Sequence, residues 1–193
     1  GGHAGSHDGT SLIEQAIDNL VGPGKPGKAI VVSAGNEGDE AIHAAGQVPS
    51  GGTKQVSFYM PQAPAGSMAV AAFDLWYKGS DRFGVGFRDP GGAGLDRTIN
   101  PGETDKCYSS STAAFCVSSK GNSTVNGDKE VFVLVYASPS AAGQWKLLLQ
   151  GDQVVNGRFD GWVLSGSEWR SDVSNDMRVG MPGTARNAIT VGA

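Results

Sequence analysis

The spacing of apolar residues changes twice along the chain. Ser11-Leu-Ile-Glu14 is a capping box, in which the serine hydroxyl and the glutamate carboxylate satisfy backbone donors at a helix start. Leu12, Ile13, Ala16, Ile17, Leu20 and Val21 recur at helical spacing and predict one apolar face, and Gly22-Pro23-Gly24 ends the helix. Residues 29–34 (AIVVSA) and 188–193 (AITVGA) are nearly continuous apolar runs, the pattern of strands covered on both faces in a parallel sheet.

Between these ends the period is two. Val56, Phe58 and Met60 alternate with smaller or polar residues, and Phe83, Val85 and Phe87 alternate with glycines. Trp145, Leu147 and Leu149 alternate as well, and residues 130–136 (EVFVLVY) read as a buried strand. Asn156-Gly157 predicts a hairpin turn ahead of residues 158–162. Turns such as Asp89-Pro90-Gly91-Gly92 punctuate the strands at the spacing of a sandwich or jelly roll. The expected fold is therefore mixed: an all-β sandwich or jelly-roll insertion over residues 47–180, flanked by α/β pieces of one parallel sheet at residues 1–46 and 181–193.

Composition narrows the function. With 15 Lys+Arg against 19 Asp+Glu the formal charge is −4, which lacks the basic footprint of a nucleic-acid binder. The longest apolar runs fall far short of the roughly 20 residues that span a bilayer, so no membrane partner is expected. Glycine accounts for 30 of 193 residues with no collagen period, which marks many turns. Residues 1–11 have neither the basic start nor the apolar core of a secretion signal, and with no initiator Met the chain reads as a fragment or a processed product. Cys107 and Cys116 fit no four-ligand zinc pattern. Two readings stay open for them: free thiols, or a hairpin disulfide worth about 2–3 kcal/mol.

The segment richest in chemistry is residues 31–38, VVSAGNEG. An apolar strand runs into a glycine turn that carries Asn36 at its carboxyl end, where α/β folds place reactive groups. The residues alone leave two roles for Asn36: donor to a developing oxyanion, or a turn residue beside glycine. SAGNEG, preceded by HDGTSLIEQAIDNL and followed near the far end by PGTARNAITVGA, resembles the subtilisin-like serine peptidases. The resemblance implies that Asn36 is the oxyanion-hole donor and that the parallel sheet is subtilisin-like. It further implies that Gly1 and Gly2 line one wall of the substrate pocket, with Ser33, Ala34, Gly35 and Glu37 on the other. For the parent protein it implies an extracellular serine endopeptidase acting on protein or peptide substrates, with no cofactor required. The family's catalytic Asp, His and Ser motifs are not in this sequence, so the 193-residue chain alone is expected to be inactive.

The remaining candidates have blander readings. Gly9-Thr10-Ser11 imitates a nucleophile motif, but Ser11 caps a helix. His3, His7 and His43 lack metal-ligand spacing and read as loop hydrogen-bonding groups. Asp39, Glu40, Asp74, Asp81 and Asp89 are weak calcium candidates without an EF-hand pattern. Trp76, Trp145, Trp162 and Trp169 allow a carbohydrate platform but suit core packing better, and Asn122-Ser123-Thr124 is a glycosylation sequon. Open strand edges would favour a dimer. The competing functional reading is a non-catalytic β-sandwich module that recognises protein or polysaccharide.

Overall fold

Alternating apolar residues build two antiparallel sheets around a shared core. The computed structural model describes residues 2–92 and 94–192. The chain divides into two compact units, Gly1–Glu40 with Asn175–Ala193, and Ala41–Ser174.

In the first unit, α1 (Leu12–Leu20) starts at the capping box. The Glu14 N–H donates to Ser11 Oγ (3.4 Å), and the Ser11 N–H donates to Glu14 Oε2 (3.0 Å). Glu14 is fully buried and also accepts a hydrogen bond from the Thr184 hydroxyl. Of the expected apolar face, Ile17 and Val21 are buried in a small cluster with Ala185, whereas Leu12, Ile13 and Leu20 are exposed. Strand β1 (Val31–Ser33) follows.

The second unit contains β2 (His43–Gln47), β3 (Thr53–Met60), β4 (Ala69–Tyr77), β5 (Arg82–Arg88), β6 (Gly94–Ile99), β7 (Lys106–Ser109), β8 (Ala113–Asn122), β9 (Lys129–Ala137), β10 (Gly143–Gln153), β11 (Arg158–Ser165) and β12 (Glu168–Trp169). One sheet has the order β12-β3-β10-β5-β6, the other β2-β11-β4-β9-β8-β7, and neighbouring strands run antiparallel. Aromatic rings join the two layers. Phe58 meets Phe73 at 4.7 Å between centroids, Tyr77 meets Phe83 at 4.3 Å, and Phe87 meets Phe115 at 4.6 Å. The alternation read from the sequence supplies these inward positions, with Trp145, Leu147 and Leu149 of β10 also buried. On β9 one face is buried (Val131, Val133, Val135) and the other is half-covered (Phe132, Leu134, Tyr136).

Asn156-Gly157 does not close a hairpin. It joins β10 in the five-stranded sheet to β11 in the six-stranded sheet. Residues 78–81 make a second such corner, from β4 to β5. The side chain of Asp81, fully buried, accepts the N–H groups of Val155 (2.7 Å), Asn156 (2.9 Å) and Gly157 (2.6 Å). Burial pushes the Asp81 carboxyl upward, and these three donors outweigh it and hold the group below the usual carboxylate range. Amides held in this way are not available to a partner strand across a hairpin.

The chain returns to the first unit with β13 (Ile189–Val191), which pairs in parallel with β1. This corrects the expected fold class. Rather than α/β pieces of a subtilisin-like parallel sheet flanking an insertion, the described residues form a nearly all-β protein with antiparallel sheets. They contain one nine-residue helix and one parallel pair of three-residue strands. A parallel sheet needs cover on both faces, yet Val31 is 63% exposed, Ile189 54% and Val191 53%. β1 and β13 have the composition of doubly covered strands, yet among the described residues no layers cover them.

Candidate functional site

The Asn36 turn is built from backbone pairings within the first unit. The Ala34 N–H donates to the Val191 carbonyl (2.8 Å), and the Ala34 carbonyl accepts from the Gly180 N–H (2.6 Å). On the other side of this segment, Gly2 and Met181 exchange two hydrogen bonds, Gly2 N–H to Met181 O (3.0 Å) and Met181 N–H to Gly2 O (2.7 Å). Gly2 and Ala34, 32 positions apart in sequence, therefore flank one short stretch, residues 180–181. Ser33 lies in β1 opposite Val191. Gly1 lies outside the described residues.

The turn itself depends on glycine. Gly35 has φ +100°, and a Cβ there would come 2.8 Å from Glu37 Oε2. That oxygen accepts the Asn36 N–H (2.9 Å) and lies 3.6 Å from His3 Nε2. The Asn36 N–H, followed by smaller contributions including His3, holds the Glu37 carboxyl below its ordinary value. The His3 ring stacks on His7 at 5.3 Å, and His7 Nδ1–H donates to the Val179 carbonyl (2.8 Å). Asn36 is exposed, at the wall of a cleft of about 540 Å³ that Gly35, Asp39, Met177, Arg178 and Gly192 also line. Glu37 is not among the lining residues, because its carboxylate folds back onto the Asn36 N–H. The Arg178 guanidinium donates to the Gly38 carbonyl and braces the far side of the turn.

Sequence reading did not single out residues 177–181. Gly180 and Met181 pair with Ala34 and Gly2, and Arg178 and Val179 bond Gly38 and His7, contacts that no local pattern encodes. The only local cue is Gly180, which is buried and gives its N–H to Ala34.

The other candidates sit elsewhere. His43 is completely buried on β2. It stacks on Trp162 (4.7 Å), and its Nε2–H donates to Asp160 Oδ1 (3.1 Å). Arg158 grips the same carboxylate through Nε (2.8 Å) and Nη2 (2.7 Å). Burial raises the Asp160 carboxyl, and the bonds from His43 and Arg158 reverse this and lower it. A histidine enclosed in this way can anchor a strand but offers no access to a substrate. Asp74 accepts the Trp76 indole N–H (3.0 Å) and Asp81 clamps its corner. Among the described residues no three His, Cys, Asp or Glu side chains converge as a metal site. Trp145, Trp162 and Trp169 are buried and only Trp76 is partly exposed, so they form no common platform. Cys107 and Cys116, opposite each other on β7 and β8, are joined in a disulfide with Cα atoms 4.1 Å apart.

No known family profile matches the chain, and no curated protein matches it by sequence. A solved structure does match its fold. The chain is similar to the CspB protease of Clostridium perfringens. The TM-score is 0.79 over 98% of this chain, at 22% sequence identity. The chain spans 39% of the length of that protein. At this identity the likeness is one of fold.

Proposed function

We propose that this chain is part of an extracellular subtilisin-like serine endopeptidase and contributes the oxyanion donor and much of the primary substrate pocket. The observation that carries the reading is that Ala34, Gly35 and Asn36 line one cleft, while backbone bonds hold Ala34 to Gly180 and Gly2 to Met181. The resemblance to the subtilisin-like peptidases implies that Asn36 is the oxyanion donor and that Gly2 and Ala34 belong to the substrate pocket. The fold-level likeness to a protease and the disulfide, which suits an oxidising compartment, support it further.

In this reading a serine supplied by another part of the longer protein attacks the scissile carbonyl. The exposed Asn36 carboxamide then donates an N–H to the oxygen as it gains charge. The Glu37 carboxylate positions the turn by holding the Asn36 backbone N–H and facing His3. Gly35 lines the wall beside Asn36.

The test is Asn36→Ala in the protein that carries this chain. Loss of one oxyanion donor in subtilisin itself costs roughly 10²–10³ in kcat, and the same fall with KM little changed is expected here. An unchanged kcat would sink the oxyanion role, and a loss confined to KM would reassign Asn36 to substrate binding.

A further inference from the structure

Two histidines stand behind the Asn36 turn, and the oxyanion role gives neither of them a part. Both are almost out of solvent: His7 is buried, and the His3 side chain is 8% exposed. Their rings are parallel within 4°, with centroids 5.3 Å apart. Stacking fixes the ring planes, and the polar neighbours fix which nitrogen of each carries the proton.

His7 Nδ1 lies 2.8 Å from the Val179 carbonyl, which can only accept, so its proton sits on Nδ1. His3 is the reverse. Its Nδ1 is buried with no hydrogen-bond partner among the described residues, whereas Nε2 lies 3.6 Å from Glu37 Oε2. A proton on Nδ1 would be a buried donor without an acceptor, so the neutral ring carries it on Nε2. At 3.6 Å this is a polar contact rather than a full hydrogen bond. The same Glu37 oxygen accepts the Asn36 N–H at 2.9 Å.

His7 is also held in an unusual shape. Its φ is +50°, a left-handed conformation that a residue other than glycine keeps only where its surroundings over-determine it. The bond to Val179 and the stack on His3 supply that constraint. Val179 lines the Asn36 cleft, so the contacts run from one lining residue, through two rings and a carboxylate, to another.

We propose that His3 and His7 are positioning residues for Asn36: His7 anchors on Val179, and His3 presents its Nε2–H to the carboxylate that holds the Asn36 N–H. Neither ring lines the cleft, so both act through Glu37. That the positioned carboxamide serves an oxyanion rests on the peptidase reading, whereas the relay itself rests on the contacts alone.

Long-range proton–nitrogen NMR of the isotope-labelled 193-residue chain at pH 8, above the ordinary imidazole range, reads both tautomers. The proton is expected on Nε2 of His3 and on Nδ1 of His7. His3→Ala should speed hydrogen exchange at the Asn36 amide about fivefold, the size of one modest polar contact. His3→Gln, which keeps an N–H at similar reach, should restore the slower exchange. In the protein that carries this chain, His3→Ala should lower kcat by a similar factor with KM little changed, again rescued by Gln. The relay is overturned by a His3 proton on Nδ1, by Asn36 exchange indifferent to His3→Ala, or by a Gln variant no better than Ala. An unchanged kcat in His3→Ala, where Asn36→Ala is damaging, overturns it as well. Should His3→Ala unfold the chain, His7→Phe keeps a stacked ring and removes the Val179 bond, and an unmoved Asn36 amide there would overturn the anchor. Tautomers and amide exchange need no catalysis, so they separate failure of the relay from failure of the oxyanion role, which Asn36→Ala alone decides.

Discussion

The two units spend their apolar residues differently. In Ala41–Ser174 the large side chains are enclosed: Trp145, Trp162, Trp169, Phe58 and Phe73 are all essentially out of solvent. In Gly1–Glu40 with Asn175–Ala193, Leu12 is 73% exposed, and Ile13, Leu20 and Val31 face water too. The first is stabilised by a core shared between two sheets. The second is held by glycine turns, a capped helix and backbone pairings, and it is the one that presents Asn36. Packing and presentation have been placed in separate parts of one chain.

The sharpest way to break this contrast is to truncate equivalent bulk in both parts. Phe58→Ala removes a ring that touches Phe73, Trp145 and Trp169, and should cost about 3–5 kcal/mol in denaturant unfolding. Leu12→Ala should stay within about 0.5 kcal/mol, because its side chain is already in water. A comparable loss at both positions would show that the exposed face of α1 is buried in the working protein.

A smaller effect is expected at Asp81. Asp81→Asn replaces one acceptor oxygen by a donor that opposes backbone N–H groups, and should cost about 2–3 kcal/mol. Because the folded carboxyl lies below its unfolded value, its stabilisation is present above about pH 4 and is lost as pH falls through the folded pKa. Asp160, lowered by His43 and Arg158, acts in the same direction. Stability measured from pH 7 downward should therefore fall less steeply in the Asn variant than in the parent, and parallel curves would remove Asp81 from the acid response.

The smallest predicted change is at the cap. Ser11→Ala should weaken the first unit by about 1 kcal/mol, read by hydrogen exchange at the α1 amides. No change in exchange would mean that Glu14, tied to Thr184, carries the helix start alone.

Much of this was legible from residue order. The cap at Ser11 and Glu14, the inward alternation of β10 and the glycine turn before Asn36 follow from local patterns, and each is in place. Asn156-Gly157 forms a corner and not a hairpin because a carboxylate 75 positions away captures the amides that a hairpin would need. Only part of the apolar face of α1 is buried, since spacing reveals a face without saying that anything covers it. The Asn36 cleft is lined by residues from both ends of the sequence, within 34–39 and 175–179, and Ala34 is held to Gly180 and Val191 by backbone bonds that leave almost no trace in side-chain pattern.

The Asp81 clamp also bears on how the protein ages. In an unrestrained Asn–Gly pair, the glycine nitrogen attacks the carboxamide, expels ammonia and forms a cyclic imide that reopens to aspartate or isoaspartate. At Asn156 that nitrogen is already bonded through its hydrogen to Asp81 Oδ2, 2.6 Å away. Conversion at this site therefore follows how often the corner opens, rather than the intrinsic reactivity of the dipeptide.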